Sequence, residues 1–289
     1  MRNLLAEFFA HCGSVSLSED GLREIIERHK CAPNNKDIQR YDFFEKACYN
    51  ERVTDGIIRC LLEYFPDAAS ATDNNNYGGN TPFHYACWNK NITLNIIQLL
   101  IDAAPTSVRH VDNKGHMPLR YLCANKNVDE TAATEILKLL IEKCPEAVRH
   151  ADNKRFLPIH FACMFHSPEF CRVLIEAYPG SERIANSHGM LPLHCACFLN
   201  NVAVVEYLYR LYPDAINHAT TNGKYPIHIT IDGTDLRDNP AAAVDVVKFL
   251  LDCDPNIKLQ KCRGRLSLLL FACVCFPFLL PGLSWPCHP

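Results

Sequence analysis

Five seven-residue blocks of similar sequence recur along this 289-residue chain. Each block has a proline at its second position, and these prolines lie 36, 40, 34 and 34 residues apart. A period of this length indicates a supersecondary unit that cannot bury its apolar face alone, so neighbouring units must stack. We therefore expect function on a surface rather than in a pocket. The blocks are Thr81–Cys87, Met117–Cys123, Leu157–Cys163, Leu191–Cys197 and Tyr225–Ile231.

The rest of each unit predicts two helices and an extended turn. Proline costs no hydrogen bond at a first helical position and disfavours helix in the residue before it, so a short helix should begin at each block proline. About ten residues later, apolar residues recur at helical spacing, as in 96–100 and 204–211, which predicts a longer second helix. Each second helix should stop near a further proline, before an Asn/Asp/Lys/Gly turn. These prolines are Pro105, Pro145, Pro179, Pro213 and Pro255.

The block resembles the T-P-L-H-x-A signature of ankyrin repeats, which the residues Thr81-Pro-Phe-His-Tyr-Ala carry almost unchanged. The resemblance covers roughly residues 41–255 and includes an Asp-x-x-Gly turn at 112–115. It implies an all-α solenoid, an ankyrin-type stack of helix-turn-helix repeats joined by extended turns. A weaker unit at 42–66 brings the expected number to about six repeats, including this degenerate N-terminal one. The resemblance also implies that the chain binds a protein partner without doing chemistry.

The domain prediction has three segments. Residues 1–40 should form an N-terminal helical extension or cap, with a helix over Glu19–Lys30 and a capping box at Ser16-Leu-Ser-Glu19. Residues 41–262 should form the repeat stack. Residues 263–289 form an apolar C-terminal segment with three open interpretations: a membrane anchor, a degenerate capping repeat, or a segment unrelated to the fold. Its apolar run, 266–280, is shorter than the about 17–25 residues of a spanning helix and contains proline, which disfavours membrane attachment.

Composition narrows the compartment and the partner class. The net charge of −3 with mixed signs gives no electrostatic case for nucleic acid. The chain has 16 cysteines, and the regular ones fill one inner-helix position, which favours free buried thiols and a reducing compartment. Glu7 interrupts the apolar N-terminus, so no signal peptide is supported. We expect a cytoplasmic or nuclear monomer. The regular cysteines are Cys48, Cys87, Cys123, Cys163 and Cys197.

Histidine and cysteine stand three residues apart in three blocks, a spacing that could hold zinc on one helix face. However, the pairs recur once per repeat, and packed helices lie about 8–10 Å apart, too far for two pairs to share one ion easily. The resemblance implies instead a structural histidine that ties neighbouring turns together. The sequence has no phosphate-binding glycine loop, Gly-x-Ser-x-Gly or His-Glu-x-x-His motif, although a triad assembled across repeats stays open. We expect no cofactor, no metal and no enzymatic activity.

In the ankyrin family the partner usually meets the turn tips and the exposed end of the first helix. The predicted tip residues are Tyr77, Asn113, Lys114, His116, Asn153, Lys154, Phe156, Ser187, His188, Met190, Asn222 and Lys224. The predicted helix-end residues are Trp88, Asn89, Asn125, Met164, Phe165, Phe198 and Leu199. Exposed aromatic side chains are typical of binding hot spots; alternatively, Trp88, Phe165 and Phe198 pack under a neighbouring repeat. The longer turns at 128–133 and 232–240 are a second candidate contact site.

Several residues depart from the repeat pattern. Arg120 replaces the block histidine of the second block, and Arg155 replaces the turn glycine. Four blocks lack the threonine that would cap the first helix, at a cost of about 0.5–2 kcal/mol each. We expect their substitutes, Met117, Leu157, Leu191 and Tyr225, to pack between turns. The alternative function that the sequence leaves open is a membrane-associated adaptor held by the C-terminal apolar run.

Overall fold

The computed structural model describes residues 2–30, 42–73, 78–232 and 240–254, and within these ranges the chain is built from fourteen α-helices without strands. It divides into two compact units, Met1–Ser181 and Glu182–Pro289. The helices of the first unit are α1 (Arg2–Cys12), α2 (Glu19–Arg28), α3 (Asp42–Tyr49), α4 (Asp55–Tyr64), α5 (Pro82–Trp88), α6 (Leu94–Ala103), α7 (Pro118–Cys123), α8 (Glu130–Lys143), α9 (Pro158–Phe165) and α10 (Pro168–Ala177). Those of the second are α11 (Pro192–Phe198), α12 (Val202–Leu211), α13 (Pro226–Asp232) and α14 (Pro240–Cys253).

The helices pair and stack as the repeat pattern predicts. In the first unit, the odd-numbered first helices pack side by side, and the even-numbered second helices form the other layer. In the second unit, α11 packs on α13 and α12 packs on α14. All five block prolines begin a first helix, so the all-α repeat fold is confirmed. Three of the prolines that stop second helices begin 3-10 turns, at Pro105–Arg109, Pro145–Arg149 and Pro213–Asn217.

The N-terminal segment is itself a helix pair, in which α1 packs on α3 and α2 packs on α4. The fully buried ring of Phe8 lies 5.2 Å from the rings of both Phe43 and Phe65. The predicted helix from Glu19 is present, but its cap was placed wrongly: Ser18, not Ser16, accepts the Gly21 N–H. α1 is a further helix within the predicted N-terminal extension 1–40, in addition to the expected helix from Glu19.

The expected long turn at 128–133 is wrong, because most of it is helix. α8 begins at Glu130 behind the cap Asp129, whose carboxylate accepts the Ala132 N–H at 2.9 Å. Glu130 in turn binds the next repeat, accepting from His166 Nδ1 at 2.9 Å and from the Ser167 N–H at 2.8 Å. The inserted residues therefore lengthen a helix and join two repeats. The other predicted insertion, at 232–240, falls mainly on residues outside the described ranges.

Side-chain amides tie successive repeats together behind the first helices. Asn50 donates to the Cys12 and Ser14 carbonyls at 3.0 and 2.7 Å. Asn89 donates to the carbonyls of Cys48 and Asn50 at 2.9 and 2.8 Å. One repeat later, Asn125 donates to the carbonyls of Cys87 and Asn89 in the same way. The last carbonyls of a helix have no intrahelical partner, so these bonds satisfy groups that would otherwise be unpaired.

The block histidines are structural. In four blocks, histidine Nδ1 accepts the backbone N–H of the residue before the proline, at 3.0 to 3.1 Å. In the first of these, His84 Nε2 also lies 3.3 Å from the His116 carbonyl of the next repeat. Because Nδ1 accepts and Nε2 faces a carbonyl, the His84 ring is neutral and carries its proton on Nε2. The four histidines, His84, His160, His194 and His228, are all fully buried.

The regular cysteines are free, buried thiols. Burial raises the pKa of the Cys87 and Cys123 thiols well above the ordinary value, so they are protonated at neutral pH. Their place in the core fits the small apolar role that the repeat position predicts. Among the described helices, none has the length and apolarity needed to cross a membrane. The C-terminal segment 263–289 lies outside the described residues.

The buried His84 should make the stability of the fold decrease in weak acid. Burial lowers the pKa of His84 from 6.5 to about 4. The unfolded chain binds a proton at this histidine below about pH 6.5, whereas the folded chain does so only near pH 4. The free energy of unfolding should therefore decline as the pH falls from 6.5 to 4, by roughly 3 kcal/mol for this group.

Urea denaturation at pH 7, 5.5 and 4.5 measures this decline. His84→Gln retains a side-chain acceptor for the Thr81 N–H but does not titrate, so its decline should be shallower than that of the wild type. Identical pH profiles for the two proteins would contradict the assignment of the neutral His84 ring to the fold.

Restoring the missing caps should destabilise the protein. Leu157 and Leu191 are 4% and 1% exposed. Threonine would supply a cap worth about 1 kcal/mol but would remove leucine burial worth roughly 1.5–3 kcal/mol. We expect Leu157→Thr and Leu191→Thr each to lower the free energy of unfolding by about 1 kcal/mol. Leu94→Thr is a control for the same substitution at an exposed site, because Leu94 is the first residue of α6, directly after the cap Thr93, and is 37% exposed. A higher melting temperature for both core variants would contradict the prediction.

Candidate partner-binding groove

Three adjoining depressions cross the first helices and turn tips of Met1–Ser181, and together we call them the groove. Their cavity volumes are about 690, 630 and 600 Å³. The first and second share Tyr49 and Tyr85, and the second and third share Lys114, His116 and Arg120. The other lining residues are Phe9, Gly13, Asp42, Glu45, Lys46, Asn50, Asn80, His84, Trp88, Asn113, Tyr121, Asp152, Asn153, Lys154, Phe156 and Phe161.

A row of aromatic rings forms the floor of the groove. Tyr85, Tyr121 and Phe161 occupy the same position in three successive blocks, between the histidine position and the small residue. The Tyr85 hydroxyl donates to Asp73 Oδ2 at 2.6 Å, and that of Tyr121 donates to Asp112 Oδ2 at 2.7 Å. Burial, followed by these hydrogen bonds, raises the pKa of both phenols. The rings are held in place before any partner arrives, which lowers the entropy cost of binding.

Aspartates also fix the turn tips. Asp112 Oδ1 accepts the backbone N–H groups of Lys114 and His116, both at 2.8 Å. Asp152 does the same one repeat later, for Lys154 at 2.8 Å and Phe156 at 2.9 Å. Each tip is closed by its own carboxylate, which leaves the two lysine side chains exposed on the rim of the groove.

The structure places the predicted contact residues in four classes. Tyr77 lies outside the described residues. Exposed positions are Trp88, Asn113, Lys114, Asn153, Lys154, Ser187, His188 and Asn222. Half-buried positions are His116, Phe156, Met164, Phe165, Met190, Phe198, Leu199 and Lys224. Asn89 and Asn125 are buried.

Asn89 and Asn125 must be withdrawn as contact residues. Each is only 3% exposed, and the Nδ2 of each amide donates two hydrogen bonds to backbone carbonyls of the preceding repeat or its end. A partner could reach these side chains only by breaking the bonds between repeats. The sequence could not reveal this, because adjacent residues at the end of a first helix differ in exposure. Trp88 faces solvent, whereas Asn89 faces the preceding repeat.

Some of the predicted contact residues line the groove, and others lie outside it. Trp88 is 41% exposed on its rim and lies edge-on to Tyr121, with the ring centroids 6.2 Å apart. Met164 and Phe165 are half-buried and do not line it. The predicted residues Ser187 to Lys224 belong to the second unit, where Lys224 pairs with Asp232 at 2.9 Å. Their role in binding stays a prediction.

Sequence reasoning missed Tyr49, Tyr85, Arg120, Tyr121 and Phe161 as groove residues. A usable signal was present, because three of them share one block position and are aromatic there. That position was read only as part of the repeat signature. The fifth position becomes cysteine and isoleucine in the last two blocks, so the aromatic row belongs to the first unit alone.

Charge differs along the groove. In the first depression, burial and the neighbouring Asp73 and Asp42 raise the pKa of Glu45 to about 8, which keeps this carboxyl largely protonated at neutral pH. The third depression instead carries Arg120, Lys114 and Lys154. Within the described ranges, no group of three or more His, Cys, Asp or Glu side chains is placed to hold a metal ion. The chemistry of the groove is that of recognition by rings and charges.

Arg155, at the tip beside the groove, should be a site of stored strain. Its φ is 60°, in the left-handed region that costs a non-glycine residue about 1–2 kcal/mol, whereas Gly115 fills the same tip position with φ 82°. Arg155→Gly should raise the free energy of unfolding by about 0.5–1 kcal/mol, since the more flexible unfolded chain offsets part of the relief. Arg155→Ala removes the charge but keeps the backbone cost, so it should not stabilise. Equal stabilisation by both variants would contradict the strain argument; urea denaturation measures it.

Comparison with known proteins agrees with the helix pairs and the turn tips. A family model described as ankyrin repeats (3 copies) matches residues 130–222, and a model of a single ankyrin repeat matches residues 78–113. No curated protein matches the chain significantly. The matched ranges contain three of the five blocks, Thr81–Cys87, Leu157–Cys163 and Leu191–Cys197. The chain belongs to the ankyrin-repeat family.

Proposed function

We propose that this chain is a non-enzymatic interaction module that binds a segment of a partner protein along the groove of Met1–Ser181. Ankyrin repeats generally mediate protein–protein interaction, which gives the class of function. The observation that carries the proposal is the row of Tyr85, Tyr121 and Phe161 along the groove floor, in which both tyrosines are hydrogen-bonded to aspartates. The tip lysines Lys114 and Lys154 border this row. Aromatic residues in a preorganised surface are where binding energy concentrates.

The spacing of the depressions favours an extended partner segment. Each depression lies across neighbouring repeats and is displaced from the previous one by about one repeat, and packed helices are about 8–10 Å apart. An extended chain advances about 3.3 Å per residue, so about three residues would span each repeat. A segment of roughly nine residues would cover all three depressions. We place the protein in the cytosol or nucleus, because a core of free thiols suits a reducing compartment.

Two alternatives have less support. An enzyme would need a nucleophile, a base and an oxyanion or metal site in mutual reach, and the groove offers hydrogen-bonded tyrosines and tip aspartates instead. A membrane-associated adaptor would depend on residues 263–289, which lie outside the described residues. Fractionation of cells with and without detergent separates the adaptor from a protein that stays in the supernatant.

Photo-crosslinking tests the proposed binding face. A photoreactive phenylalanine analogue should be placed at Trp88 or Phe156, both of which line the groove, and at Lys138, an exposed residue of α8 that does not. We expect the two groove positions to give the same discrete adducts by mass spectrometry and the control position to give none of them. Adducts from Lys138 alone would mean that the partner binds elsewhere, and the groove proposal would fail.

A further inference from the structure

Arg120 is a cation without a partner at the junction of the second and third depressions. Its guanidinium carbon lies 4.0 Å from the Phe161 ring centroid and 5.6 Å from that of Tyr121. Its buried Nε has no hydrogen-bond partner in the described chain, and the guanidinium forms no ion pair with the residues described. A half-buried charge without a hydrogen-bonded counterion is costly, so such a group favours an anionic ligand.

The nearby carboxylates are already committed to the turn tips. Asp112 accepts four hydrogen bonds, two from backbone N–H groups, one from Tyr121 and one from His116 Nδ1 at 3.0 Å. Asp152 holds the next tip in the same way. Both carboxylates reduce the positive potential around Arg120, and the second oxygen of Asp152 lies 3.6 Å from His116 Nε2, but neither aspartate forms an ion pair with the guanidinium. The guanidinium donors that face the groove are therefore open to a ligand.

The surrounding groups leave a positive surface. Lys114 and Lys154 are exposed at equivalent tip positions, one on each side of the third depression, and with Arg120 they make three cations against the two buried aspartates. Burial, then the charge of Arg120, lowers the pKa of His116, which is therefore neutral at pH 7. The exposed amides of Asn113 and Asn153 add hydrogen-bond donors on the same rim.

We infer that Arg120, stacked on Phe161 and flanked by Lys114 and Lys154, binds the carboxylate of an acidic side chain in the partner segment. The planar guanidinium matches a carboxylate in two parallel hydrogen bonds, while its face remains on the ring. The lysines would attract further acidic residues on either side. This assignment rests on the proposed function and adds the chemical class of the partner, an Asp- or Glu-rich segment.

Arg120 serves the fold less well than the residue it replaces. At the equivalent position of the four other blocks, histidine Nδ1 accepts the backbone N–H before the proline. Arginine has no acceptor, so it cannot make this bond to Met117. A residue that gives up a structural bond and keeps an unpaired charge in a groove fits a role in binding. Arg120→His should therefore improve the fold and remove the carboxylate site.

The test uses the full chain and a fluorescein-labelled octaglutamate peptide, followed by fluorescence anisotropy at low salt. We expect Arg120→His to weaken binding at least tenfold while its melting temperature equals or exceeds that of the wild type. Arg120→Lys keeps the charge but loses the planar guanidinium that makes two parallel hydrogen bonds, so it should weaken octaglutamate binding about three- to tenfold. Lys138→Gln is the charge-matched control on α8 and should change affinity less than twofold. Arg120→Gln offers a second neutral variant with an acceptor if the histidine variant folds poorly.

A local readout accompanies the affinity. The Arg120 Nε–H signal in a ¹⁵N NMR spectrum, assigned by its loss in Arg120→Lys, should shift when octaglutamate is added and not when octaglutamine is added. Equal affinity of the wild type and Arg120→His for octaglutamate, or an unshifted Arg120 signal at saturation, would overturn the inference. A phosphoserine peptide that binds more than tenfold tighter than octaglutamate would also overturn it, in favour of phosphate.

The two proposals can fail separately. If crosslinks from Trp88 and Phe156 capture a partner equally well in Arg120→His, the groove binds but the carboxylate assignment is wrong. If neither position crosslinks a partner, the proposed function fails whatever the peptide does.

Discussion

The unit Met1–Ser181 depends on hydrogen bonds that its successive repeats make to the main chain of the repeat before. A first helix of six to eight residues has more unpaired terminal groups than internal hydrogen bonds, so it is not stable alone. Asn50, Asn89 and Asn125 supply donors to the carbonyls at the ends of α1, α3 and α5, and His166 continues the series by facing the Leu122 carbonyl at 3.1 Å. These bonds fix the spacing of the first helices, and therefore also the spacing of the aromatic side chains that these helices place on the groove floor.

The turn tips add a second connection between fold and surface. One carboxylate, that of Asp112, closes its own tip through two backbone N–H groups and holds the Tyr121 hydroxyl of the groove floor. The Tyr121 hydroxyl oxygen also lies 2.9 Å from Asn80 Oδ1 of the previous repeat. The same side chains thus order the rim, the floor and the contact between repeats. A surface built this way is rigid, which suits the capture of a flexible partner segment, because the ordering cost then falls mainly on the partner.

Arg120 and Arg155 show the repeat pattern giving way in the same region. Arg155 has a left-handed backbone conformation at a tip position where Gly115 stands in the preceding repeat. Arg120 lacks the side-chain acceptor with which histidine binds the backbone N–H before the proline in the other blocks. Both changes cost stability locally, and both lie in or beside the groove. Natural proteins break local rules mostly at functional sites, and the neighbouring structure compensates for them.

The sequence by itself determined the repeat unit, the start of five first helices at the block prolines, and the burial of Leu157 and Leu191 before two of them, because these follow from proline geometry and apolar periodicity. It could not distinguish exposed from buried residues just beyond a first helix, as with Trp88 and Asn89, since adjacent residues there face solvent and the preceding repeat. Nor could it show that Tyr85, Tyr121 and Phe161 line one groove or that Arg120 is left without a counterion. Only the tertiary structure decided these, because they depend on how one repeat stands against the next.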